Sequence, residues 1–241
     1  MLSTWIEDSE LSRLNRGAHS SSAELQSLLD RALEWSRRTD GAFNPRIKAL
    51  IAVWKTREQG ALPDRSALDA ARTATQFEEG AFGKGYALDR MLALTRGQAT
   101  IDFGGQIIVR GSVPVTIAHP AHRDRSVLAL RLTDASISTS SGSEKTFEID
   151  GRRFSHIIDP RTGDALPPRG SVSVIADDAL TADILSTALY VMGEDDGLRW
   201  ANANGVAAIF ITPNHHVRMS SRARERARGL TVMDRNFSLK E

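Results

Sequence analysis

Extended segments follow one another between Ala99 and Ile158, and that grouping limits the folds open to this chain more than any single residue does. They read as Ala99 to Phe103, Ile107 to Val109, Val113 to Ala118, Val127 to Leu132, Phe147 to Ile149 and Arg152 to Ile158. The last two flank Asp150-Gly151, a dipeptide that tolerates the positive φ angles of a two-residue hairpin turn. Ser171 to Ala176 alternates like a further strand, and Gly205 to Ile211 reads as a buried one. The helical stretches fall in clusters instead of alternating with the strands. That order favours a single α+β domain over a regular βαβ repeat. With 241 residues and no internal repeat or low-complexity linker, one domain over 1–241 is expected.

The helical clusters carry their own signals. Ser21-Ser22-Ala23-Glu24 fits a capping box, and Leu25, Leu28, Leu29, Ala32 and Leu33 then recur at helical spacing. Gly41 suits the position just past that helix. Ala42 to Pro45 reads as a loop, followed by the apolar segment Ile47 to Trp54. Helices are expected over Ser66 to Ala74, Tyr86 to Thr95, Thr181 to Met192 and Asp195 to Asn204. The alternating Arg222, Arg224, Arg226 and Arg228 read as a solvated edge or helix with no function attached.

Three stretches bear chemistry. In Phe154 to Gly163, FSHIIDPRTG, period-two alternation places Phe154, His156 and Ile158 on one face, and Asp159 to Gly163 forms a turn. A titratable imidazole thus ends a strand three residues from a carboxylate; alone, it fits a buried, hydrogen-bonded histidine equally well. In Ala182 to Gly193, ADILSTALYVMG, Asp183 and Thr187 are four apart and share a helix face, with Ser186 beside them. Carboxylate and hydroxyl oxygens suit a hard cation such as Mg²⁺. An acid in the first helical turn and a threonine bonded back to the preceding turn are the structural alternative. In Glu78 to Gly85, glycines permit close backbone approach at a helix start that can hold an anion, and Lys84 adds a charge there. The spacing matches neither a P-loop nor GxGxxG, and a tight helix start explains it as well. Trp5 and Phe43 suit either a flat ligand ring or the core.

Bulk properties narrow the rest. The net charge of +1 gives no argument for nucleic acid. With no cysteine, disulfides, thiolate metal sites and cysteine nucleophiles are excluded. No apolar run approaches the ~18 residues of a membrane span, and no signal peptide is visible.

Taken in order, Asp8 to Arg16, Gly41 to Pro45, Gly83 to Arg90, Phe103 to Gly105, Ser138 to Ser140, SHIIDPRTG and ADILSTALYVMG resemble the ApbE family of FAD:protein FMN transferases. The resemblance runs from Trp5 to about Gly193 and more loosely to Ile211. It implies a mixed, largely antiparallel sheet with flanking helices, lacking an upstream N-terminal strand. It implies Mg²⁺ as cofactor, FAD as substrate, and transfer of FMN to a threonine or serine of an acceptor protein, a redox-complex subunit, with release of AMP. By position, His156 and Asp159 form the catalytic block. Asp183, Ser186, Thr187 and the Ala81 carbonyl match the metal ligands. Trp5, Ala42, Phe43, Asn44, Glu78, Lys84 and Ile157 match the cofactor contacts. A periplasmic or inner-membrane location is implied, although no export signal is visible and a cytoplasmic one stays open. Departures from the family pattern are Glu78, Glu79, Asn44, Gln106 and Ser141. A flavin-binding member without efficient transfer, and a hydrolase giving FMN and AMP, are the alternatives.

Overall fold

The computed structural model describes residues 1–19, 21–58, 60–143, 145–227 and 229–240, so Arg228 lies outside the described residues. Five helices come first: α1 (Glu10–Asn15), α2 (Ala23–Arg38), α3 (Lys48–Thr56), α4 (Arg65–Arg72) and α5 (Gly83–Ala93). Then come β1 (Ala99–Phe103), β2 (Gln106–Ala118), β3 (Ser126–Ser141), β4 (Thr146–Ile149), β5 (Arg152–Ser155) and β6 (Ser171–Ala176). The chain continues with α6 (Ala179–Met192), α7 (Glu194–Ala203), β7 (Ala207–Ile211), β8 (His216–Met219), α8 (Ser221–Arg226), β9 (Thr231–Val232) and β10 (Ser238–Lys240). The main sheet has the order β1-β2-β3-β6-β7-β8-β10, with β9 also on β3. Its pairings are antiparallel except β8–β10. The fold is therefore α+β with an antiparallel-dominated sheet. No helix among the described residues is long and apolar enough to cross a membrane.

The Asp150-Gly151 hairpin forms as expected, with Ile149 opposite Arg152 and both turn residues at positive φ. Four local expectations need correction. The segments 107–109 and 113–118 are one strand, β2. A bulge between Val109 and Ser112 interrupts its ladder, and Gly111 there takes φ +109°. β3 runs on to Ser141 and carries the Ser138-Thr139-Ser140 motif.

The strand expected to reach Ile158 stops at Ser155. Beyond Ser155 the chain pairs with a different segment: Leu166 N donates to the Ile157 carbonyl at 2.8 Å, Ile158 bridges Ala165, and Ile157 N donates to the Ser155 hydroxyl at 3.2 Å. The period-two alternation is lost with it: Ile157 and Ile158 are both buried, while His156 is exposed. The cap of α2 also differs from its sequence reading. Ser22 rather than Ser21 caps Leu25 N, and Glu10 of α1, not Glu24, accepts from the cap's own N–H at 3.0 Å. Glu24 turns instead to the Tyr86 hydroxyl and Arg90.

Helix α6 is apolar nearly all round because it is covered on several sides. It packs against β3 and β6, against α5, and against α7. Its Leu185 and Leu189 join a core with Val172, Val174 and Phe210, and its Leu180 and Ile184 join a second with Leu11, Leu25 and Phe82. The α5–α6 contact is unusually close. A Cβ on Gly85 would lie 2.4 Å from the Ala179 carbonyl oxygen and 2.7 Å from Leu180 Cα, both backbone atoms that cannot swing aside.

Gly85→Ala is therefore expected to destabilise the protein by about 1–3 kcal/mol in denaturant titration, the range for overpacking a core. Gly80→Ala, where a Cβ meets nothing within 4 Å, is the control and should be close to neutral.

Candidate active-site cleft

A cleft of about 780 Å³ opens between the helical layer and the curled first strands of the sheet. From the helical side it is lined by Phe43, Asn44, Ile47, Ile51, Glu78, Ala81 and Lys84, and from α6 by Asp183 and Thr187. The segment after β5 contributes His156, Ile157 and Ile158. Opposite them stand the β1–β2 turn, the second half of β2 and the hydroxyl-rich end of β3.

Asp183 is 4% exposed, and its Oδ2 accepts the Gly85 N–H at 3.0 Å. Burial drives its carboxyl above the ordinary carboxylate value, opposed by that bond, by the Lys84 charge and by Ser138. One turn on, Thr187 Oγ1 donates to the Asp183 carbonyl at 3.3 Å, the back-bond that the sequence left open. Ser186 is fully buried and does not line the cleft. It meets Ser140 Oγ, which does, at 2.9 Å, and Ser140 lies 3.3 Å from Thr187 Oγ1. The α6 start is held by Asp89 of α5, which accepts from Ala179 N at 2.7 Å and Leu180 N at 3.0 Å, while Asp178 caps Thr181.

On the helical wall, Asn44 Oδ1 accepts from Arg46 N at 2.9 Å and so fixes the loop that carries it. Phe43 is 2% exposed and packs in the core at the cleft wall. Glu78 accepts from Thr4 Oγ1 at 3.3 Å, and Glu79 from Thr4 N at 3.0 Å. Burial, then the neighbouring Glu79 charge, raises the Glu78 pKa.

Four residues expected at the site stand off the cleft wall. Trp5 is 80% exposed, with the Lys55 ammonium 4.9 Å from its ring centre; Thr4 next to it ties this segment to the cleft rim. Ala42 is fully buried beside Ile157 and Leu166. Ser186 lies behind Ser140. Asp159 is buried and bound to Arg161, at 2.9 Å from Nε and 2.7 Å from Nη2, and it accepts from Arg161 N as well. Its carboxylate serves the turn. The Gly163 N–H closes that turn on the Asp159 carbonyl, and Trp54 Nε1 donates to the Gly163 carbonyl at 2.8 Å.

The cleft also holds residues that the sequence reading did not place in it: Asp102, Gln106, His119, Arg123 and Ser171. Gln106 Nε2 donates to the Ala179 carbonyl at 2.7 Å, leaving its buried Oε1 without a hydrogen-bond partner among the described residues. The double glycine Gly104-Gly105, read only as part of a motif, was the available signal for this wall.

Asp183 and Thr187, which line the cleft together with Ala81, carry oxygen donors that could hold a hard cation. Lys84, at the first turn of α5, adds a positive charge. An exposed imidazole stands on another wall. Together these define an α+β protein whose cleft brings oxygen donors, a lysine and a histidine together.

Comparison with known proteins agrees with this class. The ApbE family model matches residues 1–210, and the chain belongs to the ApbE family. It is similar to the FAD:protein FMN transferase of Treponema pallidum, at 30% identity over 99% of this chain and 80% of that protein. The FAD:protein FMN transferase of Vibrio cholerae is 31% identical over 87% and 74%. Among solved structures, the apo flavinyl transferase ApbE of Pseudomonas stutzeri superposes with a TM-score of 0.81 at 26% identity, covering 94% of this chain and 83% of that one. The ApbE protein of Thermotoga maritima gives 0.83 at 25% identity, over 94% and 86%.

Burial of Asp183 has a measurable consequence. A carboxyl whose folded-state pKa is raised adds stability below its ordinary value of 3.8, and that stability is lost as pH rises through the folded-state value. At neutral pH without divalent cations, above the ordinary carboxylate value, burial of this carboxyl therefore opposes folding. Asp183→Asn is therefore expected to raise the melting temperature in EDTA at pH 7; a fall would show that burial is not the dominant effect.

Proposed function

We propose that the protein is an FAD:protein FMN transferase that uses Mg²⁺ to move FMN from FAD onto a threonine or serine hydroxyl of an acceptor protein, releasing AMP. The reading rests on one observation. Segments as distant as Ala81-Lys84, His156-Ile157 and Asp183-Thr187 meet on one cleft of about 780 Å³. Asp183, Thr187 and the Ala81 carbonyl would hold Mg²⁺, with Ser186 supporting Thr187 through Ser140. When bound, Mg²⁺ would neutralise charge on the pyrophosphate oxygens, the main requirement of phosphoryl transfer.

The protein's own groups do the rest. The Lys84 charge draws the phosphates in. Phe43 and Ile157 flank the isoalloxazine, with Asn44 and Glu78 offering polar contacts at its edge, Ala42 backing Ile157 and Trp5 at the rim. His156 accepts the proton of the acceptor hydroxyl as its oxygen attacks the FMN-side phosphorus. The phosphorus–oxygen bond to AMP breaks, and AMP leaves with the electron pair. Asp159 is a positioning residue: by clamping Arg161 it orders the turn that follows His156. The acceptor is read as a redox-complex subunit and the compartment as periplasmic or at the inner membrane, both on family resemblance.

Incubation with FAD, Mg²⁺ and a candidate acceptor should yield flavin-labelled acceptor; free FMN without labelling would identify a hydrolase instead. His156→Ala should slow labelling by about 10²–10⁴-fold while FAD still binds, the usual contribution of general base catalysis. Undiminished labelling would remove His156 from that role.

A further inference from the structure

The bulge at Gly111 bends β2 so that both of its ends border the cleft, Gln106 and Ile107 at one end and Val113 to Ala118 at the other. The loop that follows, residues 119–125, is fixed by its own hydrogen bonds. His119 N donates to the Arg125 carbonyl at 2.8 Å and Arg125 N to the His122 carbonyl at 2.9 Å. His119 Nδ1 accepts from Ala121 N at 3.0 Å and His122 N at 3.2 Å. This loop presents Arg123 to the cleft. Its guanidinium reaches the β1–β2 turn: a Cβ on Gly105 would lie 3.3 Å from Arg123 Nη2, and Gly105 takes φ +85°, where a side chain is disfavoured.

Among the described residues lining the cleft, Lys84 and Arg123 carry the lysine and arginine charge, against the carboxylates Glu78, Asp102 and Asp183. They come from different walls. Apolar side chains line both sides: Phe43, Ile47, Ile51 and Ile157 on the helical side and after β5, where the proposed function seats the tricyclic ring, and Val113 and Val115 on the sheet side. Arg123 stands on the sheet side beside the glycine turn. Resting on the reading of FAD as substrate, we infer that Arg123 is a specificity-determining contact to the adenylate half of FAD. Its planar fork takes the AMP-side phosphate, holding that half in place and keeping AMP after the bond breaks. A guanidinium has five N–H donors in a geometry that matches two phosphate oxygens, so further contacts of Arg123 are compatible with this.

The test is equilibrium binding of FAD, FMN and AMP, with Mg²⁺ at fixed salt, to the wild type, Arg123→Ala and Arg123→Lys. Arg123 is exposed on a loop, and melting curves of both variants check that they fold. Loss of a charge-assisted phosphate contact should weaken AMP and FAD by about 10- to 100-fold in Arg123→Ala and leave FMN unchanged. Arg123→Lys should recover part of the loss. Unchanged AMP binding, or FMN weakened as much as AMP, would overturn the assignment while leaving the transferase reading intact. Failure of the wild type to bind FAD would overturn that reading, and this one with it.

Discussion

The hydrogen bond from the Gly85 N–H to Asp183 Oδ2 joins the start of α5 to the first turns of α6, and the cleft takes its shape from that junction. A carboxylate is costly to bury without a strong partner, and here the partner is a backbone amide that only a close helix–helix approach can deliver. Gly85 permits that approach because a Cβ would meet the α6 backbone. Asp89, one turn further along α5, then caps α6 with both carboxylate oxygens. Lys84 therefore stands beside Asp183 by construction, and its charge is one of the influences acting on that carboxyl.

The sheet supplies the other half of the site through curvature. A straight β2 would carry its two ends far apart at roughly 3.3 Å per residue. The bulge at Gly111 instead turns the strand around the cleft, and β3 follows it from Ser126 to Ile137 before running on to Ser141. That path brings the hydroxyls of Ser138 and Ser140 against α6, where Ser140 contacts both Ser186 and Thr187. Ser138 and Ser140 thus line the cleft, while Val127, Leu128, Leu130 and Leu132 belong to an apolar core away from it.

Much of this was legible in the sequence, and for physical reasons. Asp150-Gly151 fixes its hairpin locally, and the helix expected over Thr181 to Met192 forms as α6 with the same last residue. The motif residues Asp183, Thr187, Lys84 and His156 do share one cleft. What the sequence hid depends on non-local geometry. Nothing in Ile107–Val109 and Val113–Ala118 says that a bulge joins them into one strand. The alternation through Phe154, His156 and Ile158 failed where the chain leaves β4 and pairs with Ala165 and Leu166, a partner that sequence alternation cannot choose. Asp159 is close to His156 along the chain, but its carboxylate binds Arg161, a partner that spacing alone cannot choose. Arg123 carried no motif and became visible only once β2 was seen to bend.

The account stands or falls on where a hard cation binds. Manganese, which takes the same oxygen ligands as magnesium and scatters anomalously, can be soaked into crystals of the protein grown with FAD. A single anomalous peak bounded by Asp183, Thr187 and the Ala81 carbonyl, within the same cleft as His156, is the expected result. A peak elsewhere on the protein, with those three groups uncoordinated, would contradict the account.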